Sequence, residues 1–180
     1  MVHTIRILTP SDAVAYTVLR REMLFNSPWA FLRSPDDDPG CNAVGLAASM
    51  SRPSGGFSIA GGFTVENELV AVAGIRREEP VKSAHRATLW GVYVTPSHRV
   101  RGLGRSVVDA AVEAARNWLV VPRIESVGLS VSEKSLAASA LYAKMGFVPW
   151  GAEPDAVRVD GQSLAETHMY LRLRRTARAL

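Results

Sequence analysis

The sequence predicts one α/β domain, spanning residues 1–180, in which a mixed and mostly antiparallel sheet carries helices on both faces. Stretches of β-favouring residues alternate with apolar residues at helical spacing, as in helices that pack on a sheet. Two β-favouring stretches, residues 57–65 and 69–76, flank a short polar turn, which predicts an antiparallel hairpin. The length of 180 residues and the hydrophobic content of 47% allow such a domain to bury a sizeable core.

A strand and two helices are expected before this hairpin. Residues 4–8 alternate between apolar and polar and predict a strand. The segment from Thr9 to Asp12 is typical of a helix start, because it offers a capping hydroxyl, a proline and an acid in turn. This helix should end near Pro28, and residues 43–50 predict a short second helix. The buried stripe expected for the first helix is Val14, Ala15, Val18, Leu19 and Met23.

Strands and helices alternate in the second half of the chain. Gly146 fits the left-handed position just past a helix end, and a polar loop is expected at residues 153–162. The expected elements are strands at 85–94, 124–131 and 167–173, a further strand from Phe147, and a helix at 133–145 capped by Ser132. The helix between the first two of these strands should bury Val107, Val108, Ala111, Val112, Ala115 and Leu119. The later helix should bury Leu136, Ala140, Leu141 and Met145.

The turn between the strand at 85–94 and the following helix predicts an anion-binding site. Pro96 ends strand pairing because it has no N–H to donate, and the helix begins close to Gly102. Unpaired backbone N–H groups and the positive end of the helix dipole therefore meet at one point, where phosphates bind well. The glycines let a ligand approach the backbone, and the arginines add positive charge. The turn consists of Arg99, Val100, Arg101, Gly102, Leu103, Gly104 and Arg105.

This turn differs from two common phosphate-binding motifs. A P-loop needs a lysine followed by serine or threonine after its last glycine, but Arg105 follows Gly104 here. A Rossmann turn needs a third glycine or alanine, and Val107 stands in that place. The motif Arg-x-x-Gly-x-Gly after an apolar-x-apolar-x-Pro strand end instead resembles the acetyl-coenzyme A loop of the GNAT superfamily of N-acetyltransferases.

A second segment, residues 131–147, resembles the other signature of that superfamily. The signature runs Val-x3-Asn-x2-Ala-x2-Leu-Tyr-x-Lys-x-Gly-Phe, and every place matches except the asparagine, which here is Ser135. The two signatures stand in the order and at a separation compatible with the superfamily, and its fold has the element order predicted above. The resemblance therefore covers nearly the whole chain.

The resemblance implies transfer of an acetyl group from acetyl-CoA, as co-substrate, to an amine. It implies that the strand backbone at Val92, Tyr93 and Val94 binds the pantetheine arm and that the turn at 99–105 binds the pyrophosphate. Ser135 would stand at a further cofactor-binding position. By the same resemblance, Tyr142 would face the sulfur and protonate the departing thiolate.

The resemblance indicates less about the acceptor and the general base. Some members place a glutamate on the strand before the phosphate loop, but the equivalent position here is Thr88, which cannot act as a base. An ordered water remains a candidate for the base, as do Glu22, Glu78, Glu79 and His85. The acceptor site of the fold lies between the first helical loop, the central strand and the last hairpin. Candidates for its lining are Trp29, Phe31, Trp90 and Trp150.

Two other function classes stay open. A module that binds CoA as a sensor or structural ligand is compatible with Ser135 and Thr88, which depart from the family patterns. The net charge of +4 also suits nucleic acid, but no RNA-binding motif, zinc pattern or Lys/Arg run supports that partner, so none is expected.

Composition also bears on the cellular location and on metals. Cys41 is the single cysteine and fits a reducing compartment such as the cytoplasm. No apolar run approaches membrane-spanning length, so no membrane partner is expected. The scattered histidines predict no metal. A monomer and a homodimer are both compatible with the sequence.

Overall fold

The computed structural model describes residues 3–51 and 55–173, which form a seven-stranded sheet with helices on both faces. Its elements in chain order are β1 (Thr4–Ile7), α1 (Ala13–Asn26), α2 (Ala43–Met50), β2 (Phe57–Phe63), β3 (Leu69–Arg77), β4 (Arg86–Val94), α3 (Leu103–Asn117), β5 (Ser126–Ser132), α4 (Leu136–Lys144), β6 (Val148–Val159) and β7 (Gln162–Arg172). The strand order is β1-β2-β3-β4-β5-β7-β6. Neighbouring strands are antiparallel except β4 and β5, which are parallel. The predicted mixed, mostly antiparallel fold is confirmed.

The face of the sheet that α3 covers has an apolar core, called here the α3 face. Five of the six residues expected in the buried stripe of α3 are buried, and Val107, Val108 and Ala111 are completely so. The sixth, Leu119, is 94% exposed because α3 ends at Asn117 and the helical spacing no longer applies. Full burial of a valine stabilises the fold by roughly 1.5–3 kcal/mol relative to an exposed one.

The opposite face, called here the α1 face, is covered by α1 and α2, and the stripe expected for α1 is partly wrong. Val14 and Val18 are 67% and 66% exposed, and Ala15 is exposed as well. The residues that α1 does bury are Ala13, Tyr16, Thr17, Leu19, Arg20, Met23 and Leu24. Apolar spacing selects the wrong face because three of these seven carry polar atoms.

The last two strands form a long hairpin where a polar loop was expected. Residues 153–159 belong to β6 and pair with β7 around a turn at Asp160 and Gly161, both at positive φ. Most β6 side chains are exposed, because it is the edge strand of the sheet. Strand pairing there does not require alternating apolar residues, so the expectation of a loop is wrong.

Helix α4 is shorter than expected and packs through a different stripe. It begins at Leu136 with Ser135, not Ser132, at the cap position. Leu136 is 76% exposed and Ala140 is exposed, so both are wrongly placed in the predicted core. Tyr142 is the residue of this helix that is buried. Gly146 follows the helix with a φ of +91°, which confirms the predicted left-handed position.

Candidate functional site

The parallel pair β4–β5 separates partway along, which opens the sheet. The two strands pair only through residues 86–88 and 126–128. Beyond this point β4 stays paired with β3, while β5 stays paired with β7. The edge of β4 that faces β5 therefore presents backbone N–H and C=O groups without a strand partner at 89–94, within the described residues. This opening is called the split.

A β-bulge at Gly91 redirects β4 along the split. Between Trp90 and Tyr93, two residues of β4 face a single residue of β3, and Gly91 takes a left-handed φ of +61°. The extra residue reverses the alternation of the side chains. Val92 and Val94 consequently pack on the α3 face, whereas Trp90 and Tyr93 pack on the α1 face.

The turn after β4 leaves the start of α3 open to a ligand. Gly102 occupies the cap position with a φ of +80°, and a Cβ there would meet nothing within 4 Å. The first N–H groups of α3 have no partner inside the helix. The cap residue Gly102 has no side chain that could accept a hydrogen bond from them. Val100 is also left-handed, at +62°, with its side chain fully exposed. The structure thus leaves the start of α3 open at the turn where the sequence predicts an anion-binding site.

The other residues of the turn surround this helix start. The Nε of Arg99 donates to the Val94 carbonyl at 2.9 Å, and Arg105 pairs with Asp109 at 3.4 Å. Both side chains are exposed, as is Arg101. Leu103 is buried, and a Cβ on Gly104 would lie 3.4 Å from Cδ2 of Leu141. The turn is therefore anchored on its inner side and positively charged on its outer side.

Tyr142 and Ser135 reach the split from α4. They line a cavity of 80 Å³ together with Leu89, Gly91, Val92, Val131, Ser132 and Ala138. The Tyr142 side chain is 6% exposed and meets the Phe147 ring edge to face at 5.8 Å. Burial raises the pKa of Tyr142, because the phenolate would lose its hydration. Its hydroxyl therefore stays protonated at neutral pH.

The expected acceptor residues are only partly brought together. Phe31 and Trp90 line the same cavity as Tyr142, from the α1 face. Trp29 is half-buried and does not line it. Trp150 is 63% exposed and stacks on His168 at 5.3 Å, away from this cavity. Trp90 also contacts Phe57, with their ring centroids 5.9 Å apart.

The α1 face holds a buried ion pair next to the bulge. Nη2 of Arg20 lies 2.5 Å from Oδ2 of Asp38, and the side chains are only 8% and 4% exposed. The guanidinium lies 5.3 Å from the centre of the Phe31 ring, and a Cβ on Gly91 would come within 3.3 Å of Nη1. Asp38 also accepts the Gly40 N–H at 2.6 Å. The pair thereby ties the loop after α1 to the bulge.

The carboxylates considered as bases have different surroundings. Glu22 accepts a hydrogen bond from the Tyr93 hydroxyl at 2.9 Å. Glu78 accepts one from the Thr88 hydroxyl at 2.5 Å. Glu78 and Glu79 line a second, larger cavity of 620 Å³, whereas His85 does not. Of these candidates, Glu78 alone combines a contact to β4 with a place in a cavity.

The described residues offer neither a metal-binding cluster nor a membrane-spanning helix. Residues 3–51 and 55–173 contain no group of three His, Cys, Asp or Glu residues arranged to hold a metal ion. None of the helices in these ranges is long and apolar enough to cross a bilayer.

Comparison with protein families identifies the chain. A family model described as "Acetyltransferase (GNAT) family" matches residues 19–147, which include both signature segments and the whole split. The chain belongs to the GNAT family. It is accordingly an acyltransferase, with acetyl-CoA as its co-substrate.

Solved structures of GNAT proteins share the fold at low sequence identity. An acetyltransferase of the GNAT family from Streptococcus pneumoniae has a TM-score of 0.81 at 18% identity, covering 96% of this chain and 100% of that one. The yncA protein of Salmonella typhimurium, solved with its cofactor acetyl-CoA, has a TM-score of 0.81 at 18% identity, with 97% and 96% covered. Ribosomal-protein-alanine N-acetyltransferase from Brucella melitensis has a TM-score of 0.79 at 21% identity, with 94% and 99% covered. A search among curated proteins found no significant match.

Several contacts beside the site of this GNAT protein were not predicted from the sequence. Gly91 stands alone inside a β-favouring run, and that pattern can indicate a bulge. Arg20 and Asp38 are 18 positions apart on a helix and a loop, and no spacing rule connects them. The contact between Glu78 and Thr88 follows from the pairing of β3 with β4, which the predicted strand boundaries did not resolve.

Proposed function

We propose that this protein transfers the acetyl group of acetyl-CoA to a primary amine by direct attack on the thioester. The observation that carries the proposal is the split, with Tyr142 on one side and Phe31 and Trp90 on the other. A thioester in the split would meet a buried hydroxyl from the α3 face and an acceptor from the α1 face. The Brucella melitensis relative, named for N-acetylation of an alanine, supports an amine as the acceptor class.

The cofactor would bind along the open edge of β4. Its pantetheine arm carries amides that can pair with the backbone at Val92, Tyr93 and Val94 as an added strand would. The pyrophosphate would bind to N–H groups of the turn at 99–105, and Ser135 would contact the cofactor from the cavity wall. An N–H near Val94 would polarise the thioester carbonyl as charge develops on its oxygen.

Tyr142 would serve the leaving thiolate. A CoA thiol resembles a cysteine thiol, with a pKa of about 8.5, and is a moderate leaving group by itself. Because burial raises the pKa of Tyr142 further, full proton transfer is uphill and the hydroxyl acts mainly by donating a hydrogen bond. General acid catalysis contributes roughly 10²–10⁴-fold, and we expect Tyr142 at the low end or below it.

The test combines cofactor binding with thiol release. Acetyl-CoA should raise the melting temperature, because a ligand selective for the folded state stabilises it by mass action. Dephosphorylated or depyrophosphorylated fragments should raise it much less. With acetyl-CoA present, a panel of small amines, antibiotics, peptide N-termini and lysine peptides should include an acceptor that releases free thiol.

The outcomes separate the alternatives. A melting shift without thiol release on any amine would favour a CoA-binding sensor or structural module, the alternative that Ser135 and Thr88 keep open. The absence of any shift at millimolar acetyl-CoA would contradict the proposal as a whole. We further propose a cytoplasmic location, to which the single Cys41 is suited, and a monomer or homodimer without a nucleic-acid partner.

A further inference from the structure

We propose that Glu78 is the general base that takes the proton from the acceptor amine. The proposal rests on the proposed function, because it concerns the acceptor half of the same transfer. An amine is protonated at neutral pH and cannot attack a carbonyl until it loses that proton. A carboxylate on the acceptor side of the split would remove it.

Glu78 is tied to the place where the split begins. Its Oε1 accepts a hydrogen bond from Oγ1 of Thr88 at 2.5 Å. Thr88 is the last residue of β4 that pairs with β5. Trp90 stands two positions further along the same face of β4, about 6.6 Å on, and lines the cavity that contains Tyr142. Glu78 therefore lies about two residues of strand from the expected site of acyl transfer.

The larger cavity beside Glu78 offers room for an acceptor. Its volume of 620 Å³ falls within the roughly 300–1,000 Å³ typical of small-molecule sites. Phe57 lines this cavity and contacts Trp90, which lines the smaller one, so this aromatic pair stands between the two. The other lining residues are Ser49, Gly55, Gly56, Arg76, Arg77, Glu79 and Pro80.

The base and the acid would act from opposite faces of the sheet. Tyr142 packs in the apolar cluster of the α3 face, whereas Trp90 packs against the cluster of the α1 face. Thr88 alternates with its neighbours on β4 so that it shares the face of Trp90, and the Glu78 carboxylate meets it there. An amine approaching from Glu78 would thus attack the carbonyl while the sulfur leaves toward Tyr142.

Two other acidic groups of the α1 face are already engaged. Asp38 is paired with Arg20, and Glu22 accepts the Tyr93 hydroxyl. Among the described residues, the Thr88 hydroxyl is the single hydrogen-bond or ion-pair partner of the Glu78 carboxylate. The charged groups around Glu78 are Arg76 and Arg77 on β3, Glu79 in the following connection, and Arg86 on β4, whose carbonyl accepts the Glu78 N–H.

The step conserves protons and electron pairs. The ammonium proton passes to the Glu78 carboxylate, and the neutral nitrogen uses its lone pair to form the C–N bond to the acetyl carbon. The C–S bond breaks, and its electron pair stays on sulfur, which is hydrogen-bonded or protonated by Tyr142. The second proton of the nitrogen passes to water as the amide forms, and half-buried Glu78 returns its own proton to water in the cavity. Where Tyr142 has protonated the sulfur, it takes a proton back from water.

The test is the pH dependence of thiol release by Glu78→Gln, measured with acetyl-CoA and a primary amine found in the screen. At pH 7 we expect kcat/KM to fall by about a hundredfold, the low end for a general base. The loss should shrink about tenfold for each pH unit above 7 and disappear near pH 9, because a growing share of the amine, whose pKa is near 10.4 when it is lysine-like, then arrives neutral. The melting shift with acetyl-CoA should equal that of the parent.

Matched variants make the result specific. Glu66→Gln removes an exposed carboxylate in the turn between β2 and β3, outside both cavities, and should leave the pH profile unchanged. Glu22→Gln tests the competing carboxylate, and a pH profile altered in that variant but not in Glu78→Gln would overturn the proposal. If Glu78→Gln fails to fold, Thr88→Val keeps the carboxylate but removes its hydrogen-bond donor. We expect this variant to lose turnover severalfold at neutral pH, and parental kcat/KM would overturn the proposal.

Failure of the inference differs from failure of the proposed function. A parent that turns over, with a Glu78→Gln variant that keeps the parental profile, contradicts the role of Glu78 alone. A parent that binds acetyl-CoA but acetylates no amine contradicts both.

Discussion

The two faces of the sheet differ in what they bury. The α3 face buries an almost purely apolar cluster around Val107, Val108 and Ala111. The α1 face buries polar groups as well, among them the ion pair of Arg20 and Asp38. In the proposed reaction, the α3 face supports a cofactor that binds mainly through backbone groups, so apart from Tyr142 its side chains need only pack. The α1 face must meet an amine, and there the side chains themselves provide the chemistry.

Removing one partner of the buried ion pair should have the largest effect on stability. Asp38→Ala leaves the Arg20 guanidinium buried without its counter-charge, which costs about 3–5 kcal/mol. Val108→Ala on the α3 face removes only apolar contacts and should cost about 2–3 kcal/mol, from the lost burial and the cavity left behind. Urea unfolding of the two variants compares the faces directly.

An exposed ion pair provides the control for this comparison. Arg105 and Asp109 on α3 are each 59% exposed, so Asp109→Ala should change the free energy of unfolding by no more than about 0.5 kcal/mol. If Asp38→Ala lowered the free energy of unfolding by no more than this control, the buried polar groups of the α1 face would not contribute to folding. The proposed contrast between the two faces would then be wrong.

Sequence periodicity described the α3 face well for a physical reason. Every residue that α3 buries is apolar, so its 3.6-residue repeat coincides with its buried stripe. On α1 the buried stripe includes Tyr16, Thr17 and Arg20, while Val14 and Val18 face outward. A pattern of apolar residues cannot detect a buried face on which three of the seven residues carry polar atoms.

The candidate site divides in the same way. The predicted anion-binding turn and the helix with Tyr142 depend on local sequence, namely glycines after a strand and a helix that is followed by Gly146. The acceptor side depends on contacts between distant segments. Glu78 meets Thr88 only through the pairing of β3 with β4, and the edge strand β6 pairs without an apolar pattern. Such contacts follow from the tertiary fold, and local sequence rules do not encode them.

Tyrosine hydroxyls on the two faces should behave differently, with the larger effect on the α3 face. If Tyr142 assists the leaving thiolate, Tyr142→Phe should lower kcat by roughly tenfold to a hundredfold, or about 1.4–2.7 kcal/mol in the barrier. The melting shift with acetyl-CoA should change little, because the ring that packs on Phe147 is kept. The loss should be smaller with a thioester of a more acidic thiol.

Tyr16 is the matched control on the α1 face. Its buried hydroxyl has no hydrogen-bond partner among the described residues, and burial raises its pKa to about 12. Tyr16→Phe should therefore leave both stability and kcat close to those of the parent. If Tyr142→Phe lowered kcat equally with both thioesters and also lowered the melting temperature, Tyr142 would be a packing residue. The α3 face would then provide no catalytic hydroxyl.

The smallest effect is expected at the start of α3. A Cβ on Gly104 would lie 3.4 Å from Cδ2 of Leu141 and 3.7 Å from Cγ2 of Val94, so Gly104→Ala should fold normally. It should raise KM for acetyl-CoA about fivefold, or about 1 kcal/mol, by keeping the pyrophosphate from the backbone. Gly104→Val adds two methyl groups near Leu141 and should raise KM for acetyl-CoA further. An unchanged KM in both would show that the phosphates do not approach α3 at this residue.

The bulge at Gly91 divides β4 into two parts that differ in which face of the sheet the even-numbered side chains occupy. Up to Trp90 the even-numbered side chains belong to the α1 face, and from Val92 onward they belong to the α3 face. A regular strand that kept every residue would send the Tyr93 ring into the apolar cluster and turn Val92 and Val94 toward the acceptor, whereas deleting Gly91 would leave these side chains on their present faces. A designer who transplants an acceptor site onto this scaffold must therefore count positions separately on each side of Gly91. An even-numbered side chain of β4 faces one side of the sheet before Gly91 and the other side after it.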